Sequence, residues 1–412
     1  MEEDGSADGR VDRQEMAVPQ GTFRLVRPDA TGRAPLRAWD AADEMALRHL
    51  DEVGLVEDDG NDAPTVVVVG DGWGALAAPL ASLHPTVVVD SYTAARAIVA
   101  NLGANGVDPG SVTIADPLGP LPEAIDVGVV KVPKASAVLD HHLARLAPRL
   151  APSATVIGAG MTRHVHSSTV DAFGRWIGPT ATTRAVRKAR LLLATAGPDR
   201  ATGPDGATAP EGATGAGRGS RWPRETTLDG PGGPIVAIAH AGVFAAGRLD
   251  RGTAALLAAL PEPGTHRRAV DLGCGTGVVG TVLARRDPAV EVTFVDDSAL
   301  ALASARATWE RNLGDRPARF VHGDGLLDPE PIDCDLVCVN PPFHRDHAVG
   351  DATAWRMFVE ARERLAPGGE LLVVGNRHLA HHAKLARLFG RRRVEVVGSD
   401  PAYVVCRATV AT

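Results

Sequence analysis

Short apolar runs alternate with amphipathic stretches along most of the chain, and glycine-rich turns join one to the next. "TVVVVGDGWGALAAPLA" (65–81) reads as a buried strand, a glycine turn and a helix. "TVVVDSYTAARAIVANLGANG" (86–106) repeats the theme, and "DVGVVKVPK" (126–134) and "ATVIGAG" (154–160) predict two more strands around a helical segment. "LRAWDAADEMALRHLDEVG" (36–54) has helical spacing ahead of this series. The alternation then restarts. "RAVDLGCGTGVVGTVLARR" (268–286) predicts strand, turn and helix, and "VEVTFVDDSALALASARATWERNL" (290–313) a strand, an acidic tip and a helix. Further strands are expected at 318–326, 334–343 and 370–376, helices at 351–369 and 378–390, and a closing hairpin at 393–408.

The two series line up. "VVVVGDGWGALA" matches "AVDLGCGTGVVG", "VVVDSYTAARA" matches "TFVDDSALALA", and "GVVKVPK" matches "LVCVNPPF". This is an internal duplication of domain size, giving two doubly wound α/β units in tandem. The copies differ at their strand ends. Only the second has a carboxylate, Asp271, ending its first strand and Asn-Pro-Pro ending its fourth. The first keeps Gly70, Gly72, Gly74 and Asp90 but carries Lys131-Val132-Pro133-Lys134 where the second has Asn340-Pro341-Pro342-Phe343. One working site and one degenerate domain are expected.

Residues 196–232 interrupt the pattern with a Gly-, Pro-, Ala- and Thr-rich stretch unsuited to a packed core. The apolar segments before it and at 234–242 look like two late strands of one domain, so it reads as a flexible insertion within the first domain. The expected layout is a disordered tail at 1–20, a degenerate domain at 21–240 and a catalytic domain at 241–412. A length of 412 residues suits two domains, and 44% hydrophobic with 23% charged residues suits a soluble globular protein. The net charge of -7 leaves any nucleic-acid contact to a local basic patch. Cys274, Cys334, Cys338 and Cys406 form no CxxC pair and read as buried thiols. The charged N-terminus has no signal-peptide core and no apolar run spans a membrane, so a cytoplasmic location is expected.

The chemistry lies at the strand ends of the second copy. Asp271-x-Gly273-x-Gly275-x-Gly277 joins a strand to a helix, at the edge where doubly wound sheets bind ligands. Dinucleotide sites place a pyrophosphate at this turn, whereas a carboxylate there suits an ammonium group. Asp296 ends the second strand, placed for a ribose hydroxyl pair, and Asp324 follows the third, able to accept from an adenine amino group. Amine, ribose and adenine together describe S-adenosylmethionine. Asn340-Pro341-Pro342-Phe343 then fits a planar substrate with an exocyclic amine. The Asn340 carboxamide oxygen and the Pro341 carbonyl can accept its hydrogens, proline fixes the backbone, and Phe343 offers a stacking face.

On these motifs the second half resembles the class I S-adenosylmethionine-dependent methyltransferases, whose domains are Rossmann-like. Within them "NPPFH" and "VFAAGRLDRGTAALLAALP" (243–261) are similar to the bacterial rRNA guanine-N2 methyltransferases, which pair a degenerate N-terminal domain with an active C-terminal one. "LRAWDAADE", "VKVPK", "GPTATTRAVRKARL", "RDHAVGDATAWRMF" and "NRHLAHHAKLARLFG" resemble the large-subunit enzymes more than the small-subunit ones. The resemblance implies guanine N2 of 23S rRNA as target, Asp271, Gly273, Gly275, Gly277, Asp296 and Asp324 as cofactor residues, with Asn340 shared between cofactor and catalysis. It implies Asn340 to Phe343 as the catalytic motif.

The four motif residues also suit small-subunit rRNA guanine, adenine N6 or a protein glutamine, and a non-catalytic RNA-binding assembly factor is a rival of another class. Lys131 and Lys134 cannot accept an amine's hydrogens but could meet phosphates, with Arg163 to His166, Arg184, Arg187, Lys188 and Arg190 extending that surface. His378 and His382 stand at i, i+4 without a third ligand, so no metal is expected and the segment reads as a solvated helix.

Overall fold

The computed structural model of the protein describes residues 14–28, 37–55, 63–198, 222–244, 247–342 and 347–412, without the side chains of 347–351. These fall into two compact units, within 1–219 and 220–412, with Asp90–Thr93 grouped with the second. The alternating apolar runs produce in each unit a seven-stranded sheet between helices.

The first unit begins with a hairpin, β1 (Glu15–Val18) and β2 (Gly21–Arg24), followed by α1 (Ala41–Glu52). Then come β3 (Val66–Val69), β4 (Thr86–Val88), α2 (Tyr92–Ala104), β5 (Thr113–Ala115), β6 (Ile125–Lys131), α3 (Ser136–Leu146), β7 (Leu150–Met161), α4 (Ser167–Trp176), β8 (Thr180–Thr182) and β9 (Ala189–Thr195). The sheet order is β5-β4-β3-β6-β7-β9-β8. Pairings from β5 to β7 are parallel, and β9 runs antiparallel to β7. Alternate valines of β3 enter opposite cores, Val66 and Val68 on one face and Val67 and Val69 on the other, as the two-residue period of a strand demands.

The second unit repeats the plan. It opens with a hairpin, β10 (Arg224–Gly230) and β11 (Gly233–Ala239), then α5 (Arg251–Ala258). There follow β12 (Arg268–Leu272), α6 (Val278–Arg286), β13 (Glu291–Asp296), α7 (Ala299–Leu313), β14 (Arg319–His322), β15 (Cys334–Val339), α8 (His347–Arg364), β16 (Leu365–Asn376), α9 (His381–Phe389), β17 (Val394–Ser399) and β18 (Tyr403–Thr409). The sheet order β14-β13-β12-β15-β16-β18-β17 is that of the first unit, position for position.

The two hairpins correct two expectations of the sequence. Residues 1–20 read as a tail, yet Glu15–Val18 is a strand and Met16 is buried; residues 1–13 lie outside the described part. The boundary expected near residue 240 falls earlier, because β11 pairs with β10 and not with β9. Of the 196–232 insertion, 224–230 is strand and 199–221 lies outside the described residues. The physical reason is the same in both units. A row of polar side chains on a helix satisfies the hairpin's outer backbone edge. Asn101 and Asn105 of α2 bond to the main chain of Val26 and Arg24. Asn312, Thr308 and Ser304 of α7 accept from the N–H groups of Val236, Ile238 and His240 at 3.0, 2.9 and 2.9 Å. These residues are spaced by four, one helical turn apart, so each meets alternate residues of an extended strand.

The 378–390 segment also departs from its reading as a solvated helix. α9 buries His381, Leu385 and Phe389, and the His381 ring stands edge-on to Phe358 at 5.3 Å. Glycine at 375 makes the room, since a Cβ there would collide with that ring.

Candidate active site

The ends of β12, β13 and β15 bring most of the sequence-predicted residues to one edge of the second sheet. Gly273, Gly275 and Gly277 link β12 to α6 with φ of 68°, 54° and 72°. Gly277 shows why glycine is needed there, and Gly275 shows where the loop is open. A Cβ on Gly277 would lie 2.7 Å from the Ala305 backbone, so its absence lets α6 close against α7. A Cβ on Gly275 would meet nothing within 4 Å, so this part of the loop faces open space.

Asp296 ends β13 and braces that loop. Its carboxylate accepts from Gly275 N at 2.9 Å and from Ser298 N at 2.9 Å. Burial pushes its pKa up to about 6, against the pull of those two N–H groups. Asp271 is buried beneath α6, where it accepts from Gly280 N at 2.9 Å, and burial pushes it up to about 7. A group so poised is partly protonated at neutral pH and is drawn to its charged form by a neighbouring cation.

Asp324 follows β14 and is not a bare carboxylate. Arg356 of α8 pairs with its Oδ1 and donates to its backbone oxygen at 2.9 Å. Arg356 also meets Glu360 at 3.3 Å, and buried Glu360 accepts from Leu326 N at 2.9 Å. The loop carrying Asp324 is thus fastened to α8 by residues the sequence did not single out.

Asn340 stands immediately after β15. Its Nδ2 donates to Thr253 Oγ1 at 3.0 Å and to Asp250 Oδ2 at 3.5 Å. Asp250 is the N-cap of α5 and accepts from Thr253 N at 3.1 Å, which holds both partners in place. A carboxylate only accepts, so the amide must turn its nitrogen toward α5. Its oxygen, Oδ1, is buried and has no hydrogen-bond partner among the described residues. A buried amide oxygen without a donor is costly unless one arrives from a ligand. Pro341 is buried and Pro342 exposed, while Phe343 lies outside the described residues. Asp250 and Thr253 escape a reading of the sequence although "GRLDRGTAALL" carries an N-cap signal, an aspartate three residues before a threonine.

The first unit shows what the same edge becomes without this arrangement. Val69 pairs with Val130 as Leu272 pairs with Val339, so Lys131 occupies Asn340's place in its own sheet. Lys131 Nζ lies 2.6 Å from Asp43 and 3.0 Å from Asp40, the N-cap of α1. Burial pushes Asp43 up to about 6; burial also works against the Lys131 ammonium, but the two carboxylates outweigh it and raise its pKa. This corrects the expectation that Lys131 meets phosphates, since its charge is already neutralised within the unit. Asp71, standing where the second unit has Cys274, turns its carboxylate onto the N–H groups of Trp73, Gly74, Ala75, Leu76 and Ala77. The backbone donors of that glycine loop are therefore occupied from within.

Comparison with known proteins agrees with this division. Residues 13–198 match the family described as "RLMG N-terminal domain", and residues 235–407 match "Methyltransferase small domain". The chain is 46% identical over 399 residues to a Streptomyces coelicolor protein named Ribosomal RNA large subunit methyltransferase G, covering 95% of this chain and 99% of that one. A protein of the same name from Pseudomonas paraeruginosa is 42% identical over 393 residues, covering 95% and 98%. Among solved structures the fold is similar to that of a T. thermophilus 16S rRNA N2 methyltransferase (RsmC) in complex with AdoMet and guanosine, with a TM-score of 0.67 and 23% identity over 96% of this chain and 97% of that one. No helix among the described residues is long and apolar enough to cross a membrane. With such identity running along nearly its whole length, the chain belongs to the ribosomal RNA large subunit methyltransferase G family.

Proposed function

We propose that the second unit binds S-adenosylmethionine and methylates the exocyclic N2 of a guanine in 23S rRNA, acting in the cytoplasm. The observation that carries this reading is the orientation of Asn340. Its nitrogen is tethered to Asp250 and Thr253, and its buried oxygen awaits a donor.

The residues at the glycine loop fit the cofactor. The loop is open at Gly275, and Asp296 lies beside it for a ribose. Asp271 suits an ammonium group, and Asp324, steadied by Arg356, suits an adenine amine. When bound, S-adenosylmethionine supplies a methyl group on an electron-poor sulfonium sulfur. The protein's task is then to hold a weakly nucleophilic amine. Asn340 Oδ1 and the Pro341 carbonyl accept its two hydrogens, which keeps the nitrogen aimed and leaves it richer in electron density for attack. Phe343 gives the base a face to stack on. Positioning supplies most of the rate enhancement, and the amine releases its proton to solvent afterward without a strong base. The solved neighbour's AdoMet and guanosine are of the same chemical kind, and the relatives' name supports the large subunit.

The test is to incubate the protein with methyl-labelled cofactor and unmodified 23S rRNA, 16S rRNA, DNA or release-factor protein, then identify the labelled product. N2-methylguanosine from 23S rRNA alone is expected. Label in adenine or in a glutamine amide would assign the same four residues to another planar amine.

A further inference from the structure

Two side chains of α8, one helical turn apart, engage three successive residues of the loop after β14. Arg356 pairs with Asp324 Oδ1 and donates to the Asp324 carbonyl at 2.9 Å, and it also meets Glu360 at 3.3 Å. Glu360 accepts from Leu326 N at 2.9 Å. Between those two contacts Gly325 takes a φ of 99°, and a Cβ there would collide with the Glu360 carboxylate. The i, i+4 spacing puts both groups on one face of the helix, so a rigid element grips the loop from one side. Burying a carboxylate is costly, and among the described residues the polar partners of buried Glu360 are Leu326 N and Arg356.

The same loop is tied to the rest of the edge. Gly323 N donates to the Asp296 carbonyl at 3.1 Å, so Asp296 and Asp324 stand on backbone segments joined by a hydrogen bond. α8 also reaches the glycine loop, where a Cβ on Gly273 would sit 3.5 Å from the terminal methyl of Met357.

What the brace leaves free decides its use. Arg356 takes Asp324 Oδ1 and the carbonyl, while Oδ2 has no hydrogen-bond partner among the described residues and the side chain is 29% exposed. A half-exposed ion pair adds little stability on its own. A planar guanidinium that grips the side chain and the carbonyl of one residue instead fixes a direction.

We infer that Arg356 is a positioning residue that aims Asp324 Oδ2 at the cofactor's base and makes the site select adenine over a 6-oxo purine. The inference rests on the proposed S-adenosylmethionine site and deepens it. Adenine presents an amino group at C6, and a carboxylate only accepts, so the two are complementary. Hypoxanthine presents a carbonyl oxygen there, and two acceptors face to face repel. A site built to hydrogen-bond one group rejects an analogue lacking it because its own polar group is left unpaired. That holds while the polar group stays in place. An unbraced Asp324 would swing away from a 6-oxo group, and a clamped one does not.

The test measures calorimetric binding of S-adenosylhomocysteine and S-inosylhomocysteine to the full-length parent, R356Q and R356K. The parent should bind the adenosyl compound far more tightly. R356Q should weaken that compound about ten- to a hundredfold, the scale of a lost charge-assisted hydrogen bond, and the inosyl compound much less, so the preference between bases collapses. R356K keeps the charge without the planar fork and should recover only part of that preference. A ratio of two affinities in one preparation does not depend on how much of it is folded. In steady-state methylation R356Q should raise KM for S-adenosylmethionine more than it lowers kcat. Equal weakening of both compounds would overturn the inference and leave Arg356 a support of the pocket alone; affinities unchanged from the parent would overturn it as well. A parent that binds both compounds equally overturns Asp324 as the base contact, and with it the role of Arg356. A parent that binds neither overturns the proposed cofactor site itself.

Discussion

In the first sheet the residue after Val130 is a lysine clamped between Asp40 and Asp43; in the second the residue after Val339 is an asparagine held by Asp250 and Thr253. Both places are braced by the N-terminus of the helix that follows the unit's opening hairpin. The difference lies in what remains unsatisfied. A lysine between two carboxylates has its charge answered, and the cluster offers a ligand nothing. A carboxamide tethered by its nitrogen alone keeps an oxygen in reserve. The glycine loops differ likewise: one is sealed by the carboxylate of Asp71, the other is open at Gly275. A scaffold can keep its sheet order, hairpin and N-cap while a few side chains decide whether its edge is a site or a core.

The comparison breaks most readily at Asn340. N340A should lower methyl transfer by about a thousandfold or more, as loss of a positioned polar group at a reacting centre does, with cofactor binding within a few-fold of the parent. Turnover near the parental rate would remove the distinction between the two units. Next come the braces. D250N and T253V, assayed by kcat against cofactor affinity, should each cost about ten- to a hundredfold in kcat, because a loosened amide presents either end. Cofactor affinity should hold. If it falls equally, these residues shape the pocket and do not orient Asn340.

In the first unit the corresponding change is one of stability. K131M leaves Asp43 buried without its cation and should cost about 3 kcal/mol in denaturant unfolding, with kcat unaltered. Replacing Lys131 and Asp43 together by apolar residues should recover much of that loss. A drop in kcat would show that the cluster serves catalysis. The smallest effect is in pH. Asp271 and Asp296 are raised from 3.8 to about 7 and about 6. The folded, unliganded protein therefore binds protons that the unfolded chain has released, and its stability falls as pH rises from about 4 to about 7. A cationic ligand favours ionised Asp271, so cofactor affinity should strengthen as pH rises through about 7, by up to about tenfold between pH 6 and 8. Calorimetric titration across that range checks it; D271N should weaken binding and flatten the profile.

Much of this was legible in the sequence because it is local. The glycine turn, the strand-end aspartates and Asn340 are adjacent to the strands that carry them, so periodicity alone places them at one edge. The braces were not legible. Asn340 meets Thr253 across 87 residues, and Asp324 meets Arg356 across 32. Such pairs follow from packing and leave no periodic trace. The opening hairpins were missed because β10 is mostly polar and β1 is short, each lending too little apolar pattern to be read as strand. A signal did exist: Ser304, Thr308 and Asn312 form a polar row with a four-residue step on an otherwise apolar helix face, and only an uncovered strand edge calls for one. Lys131 misled for the opposite reason. A lysine at a strand end suggests a phosphate partner until its carboxylates, one of them 91 residues away, come into view.

The most direct test is nucleoside mass spectrometry of rRNA from a strain lacking this gene, with subunits separated, complemented by the parent protein or by N340A. Loss of one N2-methylguanosine from the large-subunit RNA, restored by the parent and by no N340A protein, is the predicted result. Persistence of every methylated guanosine in the deletion strain, or full restoration by N340A, would contradict the account.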